Sequence, residues 1–313
     1  MEILKLTNVT KSFGARTVVK DLSLSVEEHS IYGFIGKNGA GKTTTMKLIL
    51  GLLKPDSGEI RVCGETVTYG NTKTNRFIGY LPDVPEFYGY MKPSEYLELC
   101  GGISGMEKEA VHRRSEELLQ MVGLSGEDRR ISGFSRGMKQ RLGIAQALLG
   151  KPRLFICDEP TSALDPLGRR DILDILKQVS AHTTVLFSTH VLADVERICD
   201  HVGLLDGGRL ILDGELERLR EQERLREQER RDSVSVEVMP EYDHMEELKA
   251  AFKELPVVTD VLLKEHHLTV QLRNAAGAGS QIIKYLTDHQ VPVRKYEVEE
   301  PTLENLFMEA VEE

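Results

Sequence analysis

No stretch of this sequence approaches the roughly 18 uninterrupted apolar residues that a membrane-spanning helix needs. The opening residues, MEILKLTNV, do not set a basic segment before a long apolar one, so no signal peptide is read there. Both absences set the expectation of a cytoplasmic polypeptide that cannot itself cross a bilayer. Cysteine is scarce as well. Cys63, Cys100, Cys157 and Cys199 are scattered, with no CxxC pair and no matched histidine spacing. That argues against a zinc site or a disulfide framework and leaves buried reduced thiols, Cys157 inside an apolar run above all. An excess of positive charge is also missing. Forty Lys and Arg face fifty Asp and Glu, a formal net charge of −10. A general nucleic-acid binder needs a phosphate-neutralising basic field, so no nucleic-acid partner is expected.

What is present suits one large and one small globular domain: 313 residues, 40% hydrophobic and 29% charged. From residue 2 to about 212, short β-rich runs alternate with longer helical patterns. LFICDEP (154–160) and TVLFST (184–189) are apolar runs of strand length, as strands covered on both faces require. This predicts an α/β domain over 1–216 built on a largely parallel sheet. Pro93 to Leu124 reads as mainly helical, with apolar positions at Tyr96, Leu97, Leu118, Leu119 and Val122, and marks a helical subdomain at about 90–140. At 217 the composition shifts to a repeated ERLREQ followed by ERRD, a charged linker over 217–232. It reads either as a solvated connecting helix or as a partner-binding stripe. The strand signal then restarts. SVSVEV, DHMEELKAAFKEL, VVTDVLL, LTVQLR, SQIIKYLTDH and VPVRKYEV follow a β-α-β-β-α-β order. That order predicts a small ferredoxin-like α+β domain over 233–313, with Pro301 opening a terminal helix in PTLENLFMEAV.

The chemistry concentrates in GKNGAGKTTT, Gly36 to Thr45, between an apolar strand pattern and a helical one. The segment matches GxxxxGK[ST]. Glycines let backbone amides converge on phosphate oxygens, and the following helix adds its positive N-terminal end. On this reading the loop from Gly36 through Asn38, Gly39, Ala40, Gly41 and Lys42 to Thr43 and Thr44 cradles a nucleotide triphosphate. Lys42 reaches the β- and γ-phosphates, and the Thr43 hydroxyl ligates Mg²⁺. Asp158, at the end of the LFICDEP strand, suits the same Mg²⁺. Glu159, the next residue, suits a general base for the attacking water.

Further motifs make the chain resemble the nucleotide-binding subunit of an ATP-binding cassette (ABC) transporter, a P-loop NTPase. FSRGMKQRL (134–142) is similar to the family's signature loop, with Ser135 and Gly137 matching and Arg136 and Met138 departing. SALD (162–165) follows as the family's D-loop does and ends in Asp165. STH (188–190) ends the next strand in the switch histidine, His190. KSFG puts Phe13 where the family stacks an aromatic ring on adenine; otherwise Phe13 is a core residue. The resemblance implies ATP and Mg²⁺ as cofactors, with His190 holding the γ-phosphate. It also implies that Ser135 and Gly137 of one copy cover the nucleotide held by another. A second copy, or a paralogous ATPase subunit, is therefore expected as a partner, in a head-to-tail dimer.

One motif departs further. The family carries Gln after a strand such as IGYLP, where this chain has Asp83. Asp83 is either a Mg²⁺-binding sensor or the cap of a turn, with Glu86 second to it as a substitute sensor. Arg136 is either a surface side chain or a contact to the opposite subunit's nucleotide. Since the chain has no membrane span, the resemblance implies separate multi-span permease subunits and a peripheral position on the inner face of the cell membrane. SRGMKQRL, LPDVPEFYGYM and the C-terminal extension resemble bacterial drug, bacitracin or lantibiotic exporters more than importers. The alternatives are a soluble ABC ATPase acting on ribosomes or DNA, and a regulatory ATP-binding subunit with little turnover.

Overall fold

EILKLTNVTKSF and RTVVKDLSLSVE interleave apolar and polar residues and form two long half-buried strands, β1 (Glu2–Phe13) and β2 (Arg16–Glu27). A computed structural model of the chain describes residues 2–71, 73–221, 233–272, 275–298 and Phe307. In it β1 and β2 join β4 (Ser57–Val62) and β5 (Glu65–Thr66) in an antiparallel sheet of order β2-β1-β4-β5. The α/β pattern predicts a largely parallel sheet, and these strands form an additional, antiparallel one. Only Gly14 and Ala15 separate β1 from β2, and a turn that short joins antiparallel neighbours, since a parallel pair needs a long crossover.

The second sheet is the parallel one. It comprises β3 (Ile31–Ile35), β6 (Ile78–Leu81), β7 (Leu154–Asp158), β8 (Thr184–Thr189), β9 (His201–Asp206) and β10 (Arg209–Glu215) in the order β10-β9-β3-β8-β7-β6. Only β10 runs antiparallel to its neighbour. Every residue of β3, β7 and β8 is buried, which explains the apolar runs at their centres. Among the described residues these strands are accompanied by α1 (Lys42–Ile49), α2 (Pro93–Ile103), α3 (Lys108–Met121), α4 (Arg136–Leu148), α5 (Pro166–Ser180) and α6 (Leu192–Ile198). Met46, Leu48 and Ile49 of α1 share one core with β1, β2 and β4 and with Phe34, Ile156 and Leu186 of the parallel sheet. Helices α2 and α3 bury Tyr96, Leu97, Leu118 and Leu119, with Val122 just beyond. Cys63, Cys100, Cys157 and Cys199 are free thiols, and burial pushes Cys157 well above the usual thiol range.

The chain divides into two compact units, Met1–Leu216 with Phe307–Glu313, and Glu217–Leu306. The second holds β11 (Ser233–Val238), α7 (Met245–Lys253), β12 (Val258–Lys264), β13 (His267–Leu272), α8 (Ala275–Asp288) and β14 (Val293–Val298). Its antiparallel sheet has the order β12-β13-β11-β14, the ferredoxin-like arrangement. Val234, Val236, Phe252, Leu268, Val270 and Ile282 fill its core. Residues 216–221 are helical, and the rest of the charged linker, 222–232, lies outside the described residues. So does PTLENLFMEAV apart from Phe307, which is buried and groups with the first unit rather than with the accessory domain to which the sequence pattern assigned it.

Candidate active site

Strand register brings the motifs together. Ile35 pairs with Thr189, Asp158 with Ser188, and Leu81 with Cys157, so β3, β8, β7 and β6 end level at one edge of the sheet. The loop after each carboxyl end therefore opens into the same crevice, the usual ligand position of an open α/β sheet. Asn38, Gly39, Gly41, Lys42, Thr43, Thr44, Asp83, Asp158 and Glu159 line one cleft of about 350 Å³, together with Arg16 and Val18.

The loop after β3 is held by close approach. A Cβ on Gly36 would lie 2.5 Å from the Leu205 carbonyl oxygen. Gly41 caps α1 with a left-handed φ of 114°, and a Cβ there would lie 2.8 Å from the Val18 oxygen. Buried Ala40 completes the turn. In the first turn of α1 the amides of Lys42, Thr43 and Thr44 have no acceptor four residues back within the helix, which leaves donors for an anion.

Lys42 is buried. Its Nζ donates to the Gly36 carbonyl at 2.6 Å and lies 3.1 Å from Glu159 Oε1. Glu159 Oε2 meets His190 Nδ1 at 2.9 Å. The Lys42 contact is ionic only, because Glu159 Oε1 is buried and receives no directed hydrogen bond. Glu159 has a left-handed φ of 48°, a strained state for a residue with a Cβ. Its amide donates to Ser188 Oγ at 3.0 Å, and that hydroxyl donates to Asp158 Oδ1 at 2.6 Å. One serine on β8 thus fixes both acids at the end of β7. Burial, with the Asp158 charge second, pushes the Tyr80 phenol up to about 12, so it stays neutral beside the site.

The remaining expected residues divide between the cleft and its surroundings. Phe13 is 48% exposed, not core, and pairs across the β1–β2 turn with Arg16 of the cleft. His190 is about half exposed. Ser135 caps α4 by accepting the Met138 amide at 3.2 Å, and Gly137 sits in that helix's first turn. Asp165 caps α5 by accepting the Gly168 amide. None of Ser135, Gly137 and Asp165 lines the cleft. Asp83 does line it, and its Oδ1 accepts from Arg136 Nη2 at 3.2 Å. Sequence reading missed Arg16 and Val18, which reach the cleft through the antiparallel sheet. It also missed Ser188 and the buried Thr161–Asp194 hydrogen bond of 2.7 Å, which ties the turn after Glu159 to α6.

A loop that admits no Cβ at Gly36 or Gly41, a helix N-terminus, a buried lysine and a carboxylate oxygen without a directed hydrogen bond fit a triphosphate and its divalent cation. Thr43, Asp158 and Asp83 offer the hard oxygen ligands such a cation takes.

A family profile described as ABC transporter matches residues 19–162. The Bacillus subtilis ABC transporter ATP-binding protein YxlF is 37% identical over 310 residues, covering 99% of both chains. This chain belongs to the ATP-binding subunits of ABC transporters. As an ABC ATPase it binds and hydrolyses ATP. Its C-terminal residues 221–311 match the C-terminal domain of DrrA1-3-like ATP-binding proteins. The bacitracin transport ATP-binding protein BcrA of Bacillus licheniformis is 40% identical over 221 residues, covering 70% of this chain and 71% of that one. The linearmycin resistance ATP-binding protein LnrL of Bacillus subtilis is 32% identical over 310 residues, covering 98% and 97%. Among solved structures, an ATP-binding subunit of an ABC transporter superposes with a TM-score of 0.63 at 34% identity, over 72% of this chain and 94% of that one. A dimeric, post-hydrolysis ATP-binding cassette bound to ADP and phosphate superposes with 0.62 at 27% identity, over 68% and 98%. ABC ATPase subunits of this kind dimerise and work with membrane permease subunits.

Proposed function

We propose that this ABC ATPase powers export of a drug, an antimicrobial peptide or a related cargo through separate multi-span permease subunits, from the inner face of the cell membrane. The likeness to bacitracin transport and linearmycin resistance proteins supports the export reading. Among the described residues no helix is long and apolar enough to cross a membrane, which supports a separate permease.

In the proposed site the amides from Gly36 to Thr44 and the Lys42 ammonium hold the phosphates, and Phe13 stacks on adenine. Thr43, Asp158 and Asp83 hold Mg²⁺, which offsets phosphate charge when bound. Glu159 takes a proton from water as the water oxygen bonds to the γ-phosphorus and the bond to the β-phosphate oxygen breaks. His190 holds the γ-phosphate. Ser135, Gly137 and Asp165 act on the nucleotide of the opposite subunit, in agreement with their absence from the lining of their own cleft. A head-to-tail, two-fold pair then makes two complete sites.

The observation that carries this reading is Glu159 at the cleft, set between Lys42 and His190 with one carboxylate oxygen receiving no directed hydrogen bond. Glu159→Gln is expected to retain ATP binding and to slow turnover by at least roughly 10²-fold. Phosphate release and equilibrium ATP titration measure the two quantities. Wild-type turnover in that variant removes Glu159 from its role.

A further inference from the structure

The cleft is poorly charged for its proposed ligand. Its lining carries two cations, Arg16 and Lys42, against three acids, Asp83, Asp158 and Glu159. Lys42 is already paired with Glu159. Asp83 can ligate the Mg²⁺ that accompanies ATP, but its carboxylate also repels the γ-phosphate of an entering triphosphate. The counter-charge comes from outside the lining. Arg136 Nη2 lies 3.2 Å from Asp83 Oδ1, and one turn further along α4 the buried Gln140 donates through Nε2 to the Asp83 carbonyl at 2.8 Å. Helix α4 thus grips Asp83 twice, by backbone and by side chain. Arg136 occupies the first position of α4, where the helix dipole disfavours a cation, and the Asp83 carboxylate offsets that too. Both side chains are substantially exposed, at 40% and 46%, so the pair does little for folding. Its consequence falls on the charge of the cleft.

We propose that Arg136 is the counter-charge that lets a carboxylate at position 83 stand beside the phosphates of ATP in the same subunit. It is a positioning residue for nucleotide, acting through Asp83. This rests on reading the cleft as the ATP site. A guanidinium suits the task because it stays charged at any working pH and pairs with carboxylate in a fixed geometry.

The test uses the full chain and a fluorescent ATP analogue with Mg²⁺, titrated at low and high salt. Arg136→Ala is expected to weaken binding about two- to fivefold at low salt, with the loss shrinking at high salt. In an Asp83→Asn background the same substitution is expected to change nothing, because no carboxylate remains to be answered. A merely structural role for Arg136 would persist in that background and ignore salt. Wild-type affinity in Arg136→Ala, or an equal loss in both backgrounds, overturns the proposal while leaving the ATP site intact. A wild-type chain that binds no nucleotide overturns the site assignment and the proposal with it.

Discussion

Ser188 organises the acids more than either acid organises itself. Its hydroxyl donates to Asp158 and accepts from the Glu159 amide, in a stretch where Glu159 already holds a left-handed backbone. Groups that orient the ligands of a metal typically matter by 10- to 100-fold in metal affinity or activity, and Asp158 is read as such a ligand. Ser188→Ala is therefore expected to lower kcat about ten- to hundredfold while ATP affinity stays near wild type. Steady-state ATPase assays beside equilibrium binding measure the split, and an unchanged kcat removes the serine from this role. The residues legible in the sequence are those whose partners lie a few positions away. Gly36 to Thr44 carry their own spacing, and Asp158 and Glu159 end a single apolar strand. Ser188 carried no such signal, because its role exists only once β8 lies beside β7 with Ser188 opposite Asp158. Asp83 was visible as an oddity. Its pairing with Arg136, 53 positions away, was not.

At the scale of elements, α4 packs closely on β6. A Cβ on Gly79 of β6 would come within 2.3 Å of the Ala147 carbonyl near the end of α4. Backbone cannot yield as a side-chain tip can, so the helix must shift. Gly79→Ala is expected to destabilise the chain by about 1–3 kcal/mol, read from the midpoint of urea unfolding, and a wild-type midpoint contradicts the packing. The same shift would carry Gln140 and Arg136 away from Asp83. Strands β3, β7 and β8 were legible because each is built around a short apolar run. The split of the N-terminal strands into their own antiparallel sheet was not, since alternating half-buried patterns do not state which sheet they join. Arg16 and Val18 stayed hidden for that reason: the turn that returns β2 toward the phosphate loop brings them to the cleft.

On the scale of the whole molecule, the phosphate cradle and the Ser135 cap of α4 are separate surfaces of one chain, and the proposed function assigns an anion to each. Lys42 lines the cleft, and Ser135 does not. In the proposed mechanism a bound triphosphate serves both only when a second copy supplies the missing half, so that nucleotide is a removable bridge whose cleavage separates the subunits. The measurement closest to this claim is the molar mass of the Glu159→Gln chain in solution, by sedimentation or light scattering, with and without Mg²⁺ and ATP. The account predicts a monomer without nucleotide, twice that mass with ATP, and return to the monomer when ADP replaces ATP. A chain that binds ATP and keeps the monomer mass at every protein concentration tested would contradict it.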